Sequence, residues 1–200
     1  MLITVHPANP QKNILDKVAK DLQSGAVYVL PTDTVYAFVT TLGNKKSIEK
    51  LYQLKEMPPN KPLSLYCRDF SQASHYIRME GNKTFRLMKS NLPGPFTLIF
   101  QASKNIPHYT LTKQESVGIR IINHPVIEGI LERIEMPLIG TSVFVKDSYL
   151  TFPEALELKF GKLVAGIIDT GPLELSVSTI LDMRSNPPEI IRKGKGEFKF

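Results

Sequence analysis

Apolar residues recur along the chain in two rhythms. Unbroken runs read as strands: Leu2 to Val5, Ala26 to Leu30, Val35 to Val39, Leu63 to Cys67, Phe96 to Phe100 and Val117 to Ile122. Pro137 to Ser142, Leu163 to Ile168, Val177 to Leu181 and Glu189 to Arg192 continue the series. Between them apolar residues fall at helical spacing. Ile14, Leu15, Val18, Ala19 and Leu22 form one stripe; Ile48, Leu51, Tyr52 and Leu54 form another. Phe85, Leu87 and Met88 mark a helix over about 82–90. Val126, Ile127, Ile130 and Leu131 mark one opened by His124-Pro125, and Ala155, Leu156 and Leu158 one opened by Pro153.

The boundaries carry their own signals. Asn9-Pro10 reads as an N-cap followed by proline at the first helical position, with Gly25 as the stop. Asn44 caps the next helix, and Ser71 a short one through Tyr76. Met57-Pro58-Pro59-Asn60 must break a helix, because a residue before proline avoids helical angles. Leu92-Pro93-Gly94-Pro95 is a hard turn, and residues 102–115 read as a polar loop. Strands and helices mix without strict alternation. The expected fold is α/β of the α+β type, a single-domain twisted mixed sheet with flanking helices.

Composition narrows the class. At 42% hydrophobic and 22% charged, the 200 residues suit one globular domain with a sizeable core. The single cysteine, Cys67, rules out an internal disulfide framework and reads as a buried structural thiol. No apolar run reaches the ~20 residues of a membrane span, and the N-terminus lacks the pattern of a signal peptide, so the expectation is cytoplasmic. A net charge of +6 favours an anionic partner such as nucleotide, RNA or phosphate. The basic tail, Arg192-Lys193-Gly194-Lys195-Gly196, reads as mobile.

The chain is organised around Pro31-Thr32-Asp33-Thr34-Val35-Tyr36. Three short polar side chains stand at a strand end, where open α/β sheets bind ligands. The alternative is a plain Asx-type turn closed by Asp33. Thr32, Lys55, Lys61, Arg120, Ser142, Ser178 and Arg192 also fall at element ends. Arg120, inside an apolar strand, needs a partner if buried. The alternatives are an anionic ligand, an internal pair with Asp33 or Asp169, or an exposed strand face. His6, His75, His108 and His124 show no metal-ligand spacing. There is no nucleophile elbow, Walker loop or G-x-G-x-x-G.

Taken together, the motifs resemble the YrdC-like domain family, which includes the L-threonylcarbamoyl-adenylate synthases. The matching stretches are PTDTVY at 31–36, LKEMPPNKPL at 54–63, LPGPFTLIF at 92–100, VGIRIINHPV at 117–126, TS at 141–142, VSTILD at 177–182 and IIRKG at 190–194. HPANPQ at 6–11, YCRDF at 66–70 and FRLMKSNLPG at 85–94 look closer to the YciO branch. The resemblance implies a single YrdC-like domain over 1–200, core about 8–195, with a YrdC/RibB-like fold around a basic concave groove. Synthases of this kind join ATP, L-threonine and bicarbonate into threonylcarbamoyl-adenylate, releasing pyrophosphate. The product feeds the threonylcarbamoyladenosine modification of tRNA, and double-stranded RNA binding is also attributed to the domain.

By resemblance, Thr32, Arg120 and Ser178 contact the threonine and its carboxylate. Lys55, Lys61, Ser142 and Arg192 contact the ATP phosphates or RNA. No metal site and no tightly bound cofactor are implied; ATP with Mg enters as substrate. Where synthases have K-x-R this chain has Lys55-Glu56-Met57, where they have S-x-N it has Ser142-Val143-Phe144, and the glycine after PTDTVY is Ala37. The implied function is a nucleotide- and RNA-binding relative without efficient synthase activity, including action on the threonylcarbamoyl group of tRNA. The alternative is an active synthase in which Arg68 or Lys146 replaces the missing donors.

Overall fold

A computed structural model describes residues 1–58, 61–78, 81–110, 115–145 and 148–200. The elements in order are β1 (Leu2–Thr4), α1 (Lys12–Gln23), β2 (Tyr28–Leu30), β3 (Ala37–Thr41), α2 (Lys45–Leu54), β4 (Ser64–Tyr66) and α3 (Phe70–Ser74). Then come β5 (Ile77–Arg78), α4 (Gly81–Asn91), β6 (Phe96–Ala102), a 3-10 turn at His108–Thr110, β7 (Ser116–Arg120), α5 (Pro125–Leu131) and β8 (Leu138–Ser142). The chain closes with β9 (Phe144–Val145), β10 (Ser148–Tyr149), α6 (Pro153–Phe160), β11 (Gly166–Asp169), β12 (Thr179–Asp182) and β13 (Glu189–Arg192).

The helix signals act locally, and several do what the sequence implies. Asn44 accepts the Ser47 backbone N–H at 3.1 Å, capping α2. His124 caps α5 by accepting from Val126 N–H, with Pro125 behind it. α1 ends in paired reverse bonds, Gly25 N–H to Leu22 O and Ala26 N–H to Asp21 O, which need the left-handed φ of +90° at Gly25. Its start departs from expectation. Gln11, not Asn9, is the N-cap, and it makes no side-chain cap bond. The segment before it is folded into a separate turn, because His6 Nδ1 accepts the N–H groups of Ala8 and Asn9. Asp69, rather than Ser71, caps α3, since only Asp69 stands three residues before the free Gln72 N–H.

One eleven-stranded sheet runs in the order β1-β11-β2-β3-β8-β4-β7-β6-β12-β13, with β5 on β6, while β9 and β10 form a separate hairpin. Parallel pairs (β1·β11, β11·β2, β4·β7, β6·β12) mix with antiparallel ones. α1 and α5 pack on one face, where Leu15, Val18, Ile127 and Ile130 meet Tyr28, Val39 and Leu138. α2, α4 and α6 join the core on the other, where Leu51, Met88 and Leu156 belong to one cluster with Phe38, Leu98 and Ile119. Phe38 meets Phe160 edge-on at 4.8 Å. Full burial of each such side chain contributes about 1.5–3 kcal/mol.

Two apolar expectations fail because the helices face differently, and one about the tail fails with them. Leu158 is 91% exposed, as α6 buries Pro153, Leu156 and Phe160 instead. Phe85 is half out of the core and touches Phe70. The tail is not loose. Gly194 N–H donates to Thr179 Oγ1, Lys195 N–H to Val177 O, and Asn91 exchanges two hydrogen bonds with the Lys199 backbone. A Cβ at Gly194 would lie 2.3 Å from Val177 O, so only glycine lets the tail cross there. Residues 111–114 of the expected polar loop, and Pro59-Asn60, lie outside the described residues.

Candidate active site

On the face carrying α1 and α5, the sheet beyond β8 is paved with small residues. Ser64, Thr97, Ser116, Gly118 and Gly140 alternate with side chains that point to the opposite core, as the period of a strand requires. The result is a cavity of about 480 Å³, within the ordinary range for small-molecule sites. Thr34 and Val35, Gly118 and Arg120, Gly140 to Ser142, and Val177, Ser178 and Ile180 all line it. The four sequence stretches that carry the motif hydroxyls and Arg120 therefore converge on one concavity.

Arg120 ends β7 and is 94% removed from solvent, leaving 6% exposed. Its Nη2 reaches the Asp33 carboxylate and Thr34 Oγ1, and its guanidinium lies 5.7 Å from the Tyr66 ring centre. Of the open alternatives, the internal pair with Asp33 is the one formed. Asp169 instead accepts from Gly171 N–H and Thr4 Oγ1. Burial raises the Asp33 pKa, and the attraction of Arg120 only partly offsets it. Arg120 Nε is buried without a hydrogen-bond partner among the described residues. A buried donor without a partner costs free energy, and the guanidinium as a whole brings a positive charge to the cavity wall.

The other expected residues divide. Ser178 and Arg192 line the cavity together; Arg192 Nε and Nη2 donate to Ser178 O, and Ser178 Oγ shares a 2.9 Å hydrogen bond with Thr97 Oγ1. Ser142 lines it at the end of β8. Thr32 is buried and does not. Its hydroxyl donates to Val35 O and accepts Thr34 N–H, closing the turn that presents Thr34. Lys55, the C-cap of α2, donates to Ser142 O and lies 5.2 Å from the Phe144 ring centre. Burial lowers its pKa to about 8. Lys61 is exposed, and its carbonyl accepts from Tyr52 OH. Neither lysine lines the cavity.

The departures from the synthase pattern have definite surroundings. Glu56 takes a left-handed φ of 52° just past α2, and Met57 N–H returns to Tyr52 O. Met57 then packs against the main core. Phe144 is half-buried on the hairpin, 4.7 Å from Tyr149, rather than in the core. Arg68 pairs with Asp69 and stays off the cavity; Lys146 lies outside the described residues. Cys67 is inert, its thiol pushed up to about 12 by burial. Among the described residues no three His, Cys, Asp or Glu side chains group as metal ligands, and no helix is long and apolar enough to cross a membrane.

Sequence reasoning placed Thr34 in the organising motif without giving it a contact, and passed over Tyr66 and Arg184; all three are on the cavity. Thr34 stood two residues from Thr32 as an equal candidate until the turn consumed the Thr32 hydroxyl. Tyr66 and Arg184 become visible only through strand register.

The family model described as Sua5_yciO_yrdC, telomere recombination, matches residues 20–194. The uncharacterized protein YciO of Escherichia coli K12 is 32% identical over 98% of this chain and 96% of its own length. The crystal structure of E. coli YciO superposes with a TM-score of 0.93 over 98% of this chain and 97% of that one. A protein of Methanocaldococcus jannaschii named as a putative threonylcarbamoyl-AMP synthase is 29% identical over 96% of this chain and 92% of its own. P. abyssi Sua5, in a crystal structure complexed with L-threonine, shares the fold at a TM-score of 0.88 and 22% identity, over 97% of this chain and 57% of that one.

Proposed function

The chain belongs to the Sua5/YciO/YrdC family, and from that premise we propose that its cavity binds an adenine nucleotide bearing a carboxylate, of the threonylcarbamoyl-adenylate type. In this reading the protein serves the threonylcarbamoyladenosine modification of tRNA as a nucleotide- and RNA-binding member that makes little adenylate itself.

The observation that carries the reading is the placement of Arg120 and Arg192. Arg192 pairs with Ile180, Ile180 with Thr97, and Thr97 stands opposite Arg120 by the register of β6 and β7. The two arginines thus share one level, three strands apart, or about 14 Å at the ~4.8 Å strand spacing. The hydroxyls of Thr34, Ser142 and Ser178 lie on the same cavity. Guanidinium groups hold carboxylates and phosphates through paired, charge-assisted hydrogen bonds. A ligand with a carboxylate at one end and a phosphate towards the other fits that pair.

Weak synthesis follows from the donors. Expelling pyrophosphate from ATP develops charge that fixed donors must meet, and losing one such donor commonly costs about 3 kcal/mol of transition-state stabilisation. Met57 packs on the core and Phe144 lies tilted against the Tyr149 ring, and neither side chain carries a donor. Lys55 is engaged with Ser142 O. Ground-state binding tolerates such losses better than the chemical step does. The test is pyrophosphate release from ATP with L-threonine and bicarbonate. ATP binding with turnover well below ~1 s⁻¹, the low end of ordinary enzymes, is expected; faster turnover overturns the reading. Binding of tRNA or duplex RNA is expected to fall steeply with salt and to depend little on sequence; a flat salt response overturns that part.

The likeness to the M. jannaschii protein favours a second reading, an active synthase. Ser142 and Arg192, with the charge of Lys55 behind Ser142, would then suffice for the phosphates, and the same turnover measurement decides.

A further inference from the structure

Arg184 reaches the cavity from the turn after β12 and lies outside every motif that carries the family resemblance. Asp182 holds it by three hydrogen bonds. The carboxylate accepts the Arg184 backbone N–H at 2.9 Å, Nε at 2.9 Å and Nη2 at 2.6 Å. Asp182 is itself only 14% exposed on its side chain. The clamp takes one edge of the guanidinium and fixes its plane. Nη1 and the second hydrogen of Nη2 remain as two parallel donors, with no partner among the described residues. Around them the cavity turns apolar, lined by Ile99, Ile180 and Ile191.

The position is distinct from the two arginines already described. Asp182 pairs with Ile99, two residues along β12 from Ile180, which pairs with Arg192. At ~3.3 Å per residue that places the clamp about 7 Å to one side of the Arg120–Arg192 level. We propose that Arg184 is a second phosphate-binding position of the cavity, so that its preferred ligand is a nucleotide carrying a further phosphate away from that level. This rests on the nucleotide reading above.

The experiment is calorimetric titration of the full chain with AMP and with adenosine 3′,5′-bisphosphate. The bisphosphate is expected to bind about tenfold tighter, the effect of one added charge-assisted contact. Arg184→Gln is expected to erase that advantage, and Arg184→Lys, which keeps the charge without the fork, to retain part of it. AMP affinity should stay within about twofold in both variants, since one-phosphate binding does not use Arg184. If AMP binds but the bisphosphate gains nothing, or if its advantage survives in Arg184→Gln, the Arg184 assignment is overturned alone. If neither nucleotide binds, the nucleotide reading falls and this inference with it.

Discussion

Arg120 Nη2 lies 2.5 Å from Asp33 Oδ1, and both side chains are less than one-tenth exposed. The pair joins the end of β7 to the turn after β2, across 87 residues of sequence. Because burial raises the Asp33 pKa, holding that carboxylate charged costs stability, and the cost grows as pH rises through its folded value. Removing one partner is worse, since it strands the other charge.

Asp33→Ala is therefore expected to destabilise the fold by about 3–5 kcal/mol, and adding Arg120→Met to recover most of the loss. Urea unfolding of the single and double variants measures this. A loss below about 1 kcal/mol for Asp33→Ala would show that Arg120 does not depend on Asp33.

Lys55 gives a pH-dependent binding prediction. Lys55 stands behind the cavity wall on Ser142 O, and burial lowers its amine to about 8, so the positive charge it lends to that wall declines between roughly pH 7 and 9. Nucleotide affinity should weaken across that window, and Lys55→Met should bind more weakly at pH 7 but without the decline. The stability contribution runs the other way. The folded pKa lies below the unfolded one, so the unfolded chain binds more protons between about 8 and 10.4, and stability rises with pH there. An unmodified chain whose affinity is constant from pH 7 to 9 would show that the Lys55 charge does not reach the ligand.

His124 sets an acid limb. As the cap of α5 it accepts from Val126 N–H and must be neutral at Nδ1. Burial lowers its pKa to about 4. The unfolded chain therefore binds more protons between about 6.5 and 4, and stability falls as pH drops through that range. His124→Asn keeps a capping oxygen without titrating. Thermal melts between pH 4 and 7 should show a flatter acid limb for the variant; identical limbs would assign the loss to other groups.

Met57→Arg with Phe144→Asn restores the synthase pattern at the two positions where a donor is missing. Phe144 is half-buried on a hairpin, so its replacement should cost about 1–2 kcal/mol rather than the 3–5 of a core phenylalanine. Pyrophosphate release by the double variant should rise at least tenfold over the unmodified chain if those two donors limit the chemistry. No gain in a folded variant would place the deficit elsewhere.

The sequence announced what local chemistry dictates. Gly25, Asn44 and His124-Pro125 each ended or opened a helix through bonds made within a few residues, and the apolar runs marked every strand longer than three residues. It misled where a choice depends on the rest of the fold. Leu158 has helical spacing but lies on the solvent side of α6. β5 and the β9–β10 hairpin have too few residues for a period. In the site, Arg120 was legible because a charge inside an apolar strand needs an explanation. Thr32 was displaced by Thr34 because only the turn geometry says which hydroxyl is consumed. Arg184 reads as an ordinary turn residue until β12 is laid beside β6.

The floor of small residues bears on how ligands can be exchanged within this architecture. The site's floor owes its depth to side chains that are missing from the strands, while turns such as those carrying Thr34, Ser178 and Arg184 supply its rim. A methyl group at Gly118 would meet Ser64 Oγ and Thr97 Cγ2 at 3.0 Å, both side-chain atoms that can shift. At Gly140 it would meet the Phe38 carbonyl oxygen at 2.7 Å, a backbone atom in the neighbouring strand that cannot. Position 118 is thus a place where descent could raise the floor one carbon at a time and trade a larger ligand for a smaller one. Position 140 is closed to that drift, because any change there would be answered by the sheet before it reached the ligand.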